Sequence, residues 1–159
     1  MTSTAPAPPL NLHKAFPAGY QALSALEAGL RESPLSSTIR ELVKMRASQI
    51  NGCAYCLDMH YKDARAEGET EERLYMLNAW REATVYTDEE RAALALTEAI
   101  TCISDQHVPA ELEAEARALF DDERYAALVW TIVAINAWNR LAITGHSEPG
   151  KYQPRQTHG

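Results

Sequence analysis

Cysteine is scarce in this 159-residue chain, with three in all. That excludes a disulfide-stapled secreted module, and a chain of this length has no need of staples. About 100–200 residues is ordinary for one domain, and such a domain buries roughly 70% of its unfolded surface. Glycine (7) and proline (8) are few, which excludes collagen-like and linker-rich chains. Basic residues are outnumbered, 15 against 22 acidic ones, for a net charge of -7. An acidic surface repels phosphate, so general nucleic-acid binding is excluded. No basic amphipathic stretch suits a membrane surface. The longest strongly apolar run, Ala126 to Ala134, is broken by Thr131 and is too short to span a bilayer. Met1 to Pro9 lacks the charged and apolar regions of a signal peptide. A soluble, cytoplasmic protein is expected.

What is present is helical periodicity. Residues 1–10 read as a flexible N-terminal arm and 147–159 as a flexible C-terminal tail. One domain, 11–146, lies between them. Tyr20, Leu23, Leu26 and Leu30 form one apolar stripe, predicting a helix from about Pro17 to Arg31. Ser36-Ser37-Thr38 can cap a second helix running to about Ile50. Asn51-Gly52 breaks it, since both residues tolerate the left-handed backbone. A third helix starts at Cys53 and stops near Gly68. A short one follows, from about Thr70 to Asn78. Thr87 and Glu90 form a capping box for a helix from Asp88 to about Ser104. Further helices are expected from Ala110 to Phe120 and from Glu123 to about Thr144. The last is apolar on nearly every side and wants cover all round, which a neighbouring subunit supplies most easily. The fold class is all-α.

The chemistry concentrates in Glu41 to His60, ELVKMRASQINGCAYCLDMH. Cys53, Cys56 and His60 follow one another at steps of three and four, which places them on one helix face. The break before them puts both cysteines in the first turn. Free backbone N–H groups and the helix dipole favour an anion there, so the cysteine pKa is expected to fall from about 8.5 toward the roughly 3.5–7.5 of activated thiols. His60 can accept the thiol proton or hydrogen-bond the thiolate. These are the parts of a redox dithiol with a nucleophile and a resolving partner. Two other readings stay open. The pair can be buried and inert, or Cys53, Cys56 and His60 can hold a structural zinc, with Glu41 or a distant residue as fourth ligand.

Glu41, Cys53, Cys56 and His60, at their spacings, resemble the core motif of the alkylhydroperoxidase AhpD-like family, within the carboxymuconolactone decarboxylase-like superfamily. Thr87 to Thr101 and Ile135 to His146 are similar to further helices of that family. The resemblance implies an AhpD-like helical domain that assembles through apolar helices into homo-oligomers, trimers or hexamers. It implies a thiol-dependent peroxidase of alkyl hydroperoxide reductase type, acting in antioxidant defence. By position, Cys56 attacks the peroxide, Cys53 resolves it as a disulfide, and His60 and Glu41 relay the proton. Cys53 is expected to be the more exposed sulfur, open to the reductant. The best-known members carry a histidine where this chain has Tyr55, and tyrosine titrates near 10.

No glycine-rich nucleotide motif is present, so no NAD(P)H or flavin cofactor is expected. Electrons must come from a separate dithiol donor, a lipoyl group or thioredoxin-like protein. An alternative is a protein disulfide reductase without peroxidase activity. Cys102 reads as a small buried hydrophobe inside a helix, and Trp80, Trp130 and Trp138 as core or interface. Asp58 and Lys62 read as a surface ion pair. Asn139 and Arg140, polar residues in an apolar helix, read as structural hydrogen-bonding groups or supports of the site.

Overall fold

The computed structural model describes residues 8–154. Among them there are eight α-helices, one 3-10 turn and no strand. A short α1, Leu12–Ala15, is capped by Asn11. Pro17, with its φ preset for helix, opens α2, Pro17–Glu32. Ser36 caps α3, Ser37–Asn51, and Gly52 ends it at φ 68. A residue with a Cβ is strained at that φ, so a glycine belongs at this joint. The chain reverses there into α4, Ala54–Ala66. After α5, Glu71–Met76, and the 3-10 turn Leu77–Ala79, Thr87 and Glu90 cap each other at the start of α6, Asp88–Thr101. Helices α7, Ala110–Leu119, and α8, Asp122–Thr144, complete the domain.

The central element is α3. It packs against α4, α6 and α8, and it feeds each of three core clusters. Ile39 and Val43 join Leu30, Leu96, Leu128 and Ile132. Leu42 and Met45 join Leu74, Leu77, Trp80 and Leu94. Ala47 meets Cys53, Cys56 and Ile135. A helix bearing Glu41, Lys44 and Arg46 can occupy this place because each charge is paired. Lys44 meets Glu27 at 2.9 Å, and Arg46 meets Glu98 at 2.8 Å.

Within one chain the last helix is covered on one side only. Leu128, Thr131, Ile132, Ile135 and Asn139 of α8 are buried, but Trp130 (55%), Val133 (42%) and Leu141 (39%) are exposed along its opposite side. At 23 residues, α8 is long and apolar enough to cross a membrane by length and composition. Its packing against α2, α3, α4 and α6 makes it a core helix of this fold. Cys102 lies at the C-terminal end of α6, half-buried, not within the helix as expected.

The described part of the C-terminal segment lies along α4. Gly150 N–H donates to Asp58 at 2.9 Å, Lys62 Nζ to the Tyr152 carbonyl at 3.0 Å, and the Tyr152 hydroxyl to Asp63 at 2.7 Å. Asp58 and Lys62 form the expected i, i+4 pair at 2.9 Å. Residues 1–7 and 155–159, most of the arm and the end of the tail, lie outside the described residues.

Candidate active site

The reversal at Gly52 places the end of α3 beside the start of α4, and the two cysteines sit at that joint. Cys53 is the N-cap of α4. Its Sγ accepts the Cys56 N–H at 3.4 Å and lies 2.6 Å from Cys56 Sγ. Both thiols are free. Both are also about 1% exposed, so Cys53 is not the more open of the two. Tyr55, Trp138 and Ala142 form the partly buried cover packed on them.

Burial reverses one local expectation. The helix start favours an anion, but the burial of Cys56 and its hydrogen bond with Cys53 push the Cys56 thiol up, to about 12. The neighbouring Asn139 amide acts in the opposite sense and does not offset this. Desolvation disfavours the charged form more than one end of a helix dipole favours it. In its reduced resting state, Cys56 is therefore a protonated thiol that needs a proton acceptor.

That raised pKa has a consequence for stability. The native state holds a proton that the unfolded chain releases from about pH 8.5 upward. Stability contributed by Cys56 is complete below that pH and is lost as pH rises toward 12. Chemical denaturation midpoints of the reduced protein are expected to fall between pH 8.5 and 10.5. The fall should be shallower in Cys56→Ala. Equal slopes would contradict the burial argument.

One turn past Cys56, on the same face, is His60, also buried. Its Nδ1 lies 2.8 Å from Glu41 Oε2. Burial works to raise the Glu41 pKa, but the hydrogen bond and charge of His60, with Lys44 and Arg40 nearby, hold it below the ordinary carboxylate range. An anionic Glu41 accepts from Nδ1–H, which leaves His60 Nε2 as an acceptor. Glu41, unreachable from His60 by sequence spacing, is thus brought to it across the α3–α4 hairpin. Tyr55 is held above its ordinary 10 by burial and by Cys56, Tyr20 and Asp58, so its phenol is a donor.

Two groups of side chains lie beyond the sequence motif. Lys44 Nζ sits 2.9 Å from Glu27 and 3.8 Å from Glu41. Their signal was a glutamate within the stripe Leu23, Leu26, Leu30, and a lysine three residues past Glu41. The second group ties α8 to the joint. Asn51 donates to Asn136 and Asn139, both at 2.9 Å, and Asn139 donates to Ser48 at 2.9 Å. Asn139 is therefore a structural tie that also faces the dithiol, whereas Arg140 is exposed and bonds Asn136 of its own helix. Donor atoms of Glu41, His60 and Asp63 come within 4.8 Å of one another. Existing bonds occupy this set, His60 to Glu41 and Asp63 to Tyr152. It also differs from the cysteine-based zinc set considered from sequence.

Fold and site together define an all-helical dithiol domain, with a histidine on the helix that carries the sulfurs and its carboxylate partner on the helix before. The sequence pattern of the carboxymuconolactone decarboxylase family matches residues 17–99. The chain belongs to this family, and its fold is AhpD-like. It is 46% identical over 134 residues to the uncharacterized protein YdfG of Bacillus subtilis (strain 168), a match spanning 84% of this chain and 91% of that one. A crystal structure of an Agrobacterium tumefaciens protein of unknown function, assigned only provisionally as an antioxidant defence protein AhpD, superposes with TM-score 0.86 at 38% identity. That match spans 92% of this chain and 100% of the other. An uncharacterized peroxidase-related protein from Silicibacter sp. TM1040 has TM-score 0.73 at 25% identity, over 82% and 70% of the two chains.

Proposed function

We propose that this protein is a thiol-dependent peroxidase that reduces hydrogen peroxide or organic hydroperoxides with the Cys53–Cys56 dithiol, in antioxidant defence. The observation that carries the reading is the pair of free sulfurs 2.6 Å apart, on the same helix as a His60 bonded to Glu41 at 2.8 Å. The description of the Agrobacterium relative points the same way.

His60 Nε2 takes the Cys56 proton, and the thiolate attacks the distal peroxide oxygen. The O–O bond breaks, Cys56 becomes a sulfenic acid, and the alkoxide leaves as an alcohol with the proton His60 received. Cys53 then attacks the sulfenic sulfur, forming the disulfide and releasing water. A dithiol donor reduces the disulfide by exchange and becomes a disulfide itself. Because both sulfurs are nearly closed off, a slender lipoyl arm suits the site better than the broad face of a thioredoxin-like protein.

Thiol counting tests the disulfide step. One equivalent of cumene hydroperoxide should lower the free thiols from three to one, with Cys53 joined to Cys56 in the peptide map and Cys102 still free. Three remaining thiols, or a product with Cys102 oxidised in their place, would contradict the proposal.

The same reading includes self-assembly. Trp130, Val133 and Leu141 share one side of α8 and are about half exposed, so burying the remainder against a second copy would recover roughly 1 kcal/mol per side chain. A trimer or hexamer is expected by light scattering, and Trp130→Glu should shift the mass toward monomer. A monomeric parent would contradict it.

A further inference from the structure

The Glu41 carboxylate sits among other charges. Its Oε2 holds His60 Nδ1 at 2.8 Å, and Asp63 brings a second carboxylate within 4.8 Å of that pair. Asp63 in turn accepts from the Tyr152 hydroxyl of the C-terminal segment. From α2 comes a third carboxylate, Glu27, 2.9 Å from Lys44 Nζ. The same ammonium lies 3.8 Å from Glu41. Arg40, also on α3, adds a positive charge to Glu41, but its guanidinium is bonded to the Leu35 carbonyl. Lys44 (6% exposed) and Glu27 (8%) are buried. A buried ion pair is weak ground for stability, since apolar residues often do as well. Its position one contact behind the histidine's carboxylate points to a role in the site.

We propose that Lys44, clamped by Glu27, is a positioning residue of the dithiol site: its ammonium keeps Glu41 a pure hydrogen-bond acceptor, so that His60 carries its proton on Nδ1 and leaves Nε2 free to accept one. The inference rests on the reading of His60 as the proton acceptor of Cys56. With the ammonium gone, no cation stands between Glu41 and Glu27, Asp63 adds a third carboxylate nearby, and carboxylates that crowd one another out of water retain a proton. A protonated Glu41 donates its O–H to Nδ1. The imidazole proton then moves to Nε2, and the acceptor is lost. Removing Glu27 together with Lys44 takes away one carboxylate along with the cation, so the local net charge matches the parent's and Glu41 stays ionised beside His60 and Arg40.

The test uses the full-length reduced protein and does not depend on peroxide turnover. Alkylation of Cys56 by monobromobimane is followed by peptide mass spectrometry, and the His60 tautomer by imidazole ¹⁵N NMR. In Lys44→Met, alkylation at pH 7 is expected to slow about 10-fold or more, with the tautomer switched from Nδ1–H to Nε2–H. Lys44→Gln, which keeps donor groups but not the charge, should do the same and serves if Lys44→Met does not fold. The double variant Glu27→Leu/Lys44→Met should return to within about threefold of the parent and recover the Nδ1–H tautomer. Parent-like rates and tautomer in both neutral variants would overturn the proposal. So would a double variant as slow as the single one, which would mark Lys44 as packing. If the parent turns over no peroxide yet these shifts occur, the peroxidase reading fails and the Lys44 inference stands.

Discussion

Cys56→Ser is expected to consume no hydroperoxide above the buffer rate, whereas Cys53→Ser should consume about one equivalent and then stall. The asymmetry follows from the division of labour proposed for the two sulfurs. A serine at 56 leaves no nucleophile, because an alcohol is not ionised by an imidazole in the way a thiol is. A serine at 53 leaves the nucleophile intact but removes the thiol that resolves the sulfenic acid. The product should then be Cys56 sulfenic acid, trapped by dimedone with a mass shift on the peptide carrying residue 56. The geometry alone does not favour Cys56, since Cys53 is the sulfur that accepts the α4 N–H. A dimedone adduct on Cys53 in the Cys56→Ser protein, with one equivalent of peroxide consumed, would reverse the two roles and leave the dithiol chemistry standing.

The second large effect is expected at His60. Cys56 is held up near 12, so at pH 7 its thiolate forms only when a neighbour takes the proton. His60→Ala should lower the rate of peroxide consumption by about 10²–10⁴. The deficit should shrink as pH rises, because hydroxide replaces the imidazole and the free thiolate grows tenfold with each pH unit below the pKa. Glu41→Gln should give a smaller loss. The amide can still accept from Nδ1–H through its oxygen but no longer balances the imidazolium that forms. A His60→Ala deficit independent of pH would show that His60 supports the structure and does not take the proton.

Much of this fold was legible because its boundaries are local. Ser36, Thr70, Thr87 with Glu90, and Asp121 each cap a helix through their own side chains, and Gly52 ends one by its own backbone freedom. What was not legible is tertiary. Apolar periodicity marks α8 as the helix wanting cover, but within one chain the more enclosed helix is α3. Hydrophobic patterning does not see that Lys44 and Arg46 meet acidic partners 17 and 52 residues away. The Cys56 pKa failed for the same reason. A helix start is visible in sequence, whereas the packing of Ala47 and Ile135 over the sulfur is not. Glu41 entered the sequence reading only through family resemblance, since nineteen residues separate it from His60 and only the hairpin at Gly52 brings them together.

The central claim is that two buried sulfurs and a histidine–glutamate pair reduce peroxide. Its most direct test is the initial rate of cumene hydroperoxide consumption by the reduced protein, with dihydrolipoamide as donor. Steady turnover is expected, continuing through many equivalents, scaling with enzyme and vanishing in Cys56→Ser. Turnover equal in parent and Cys56→Ser, or none above buffer in the parent, would contradict it.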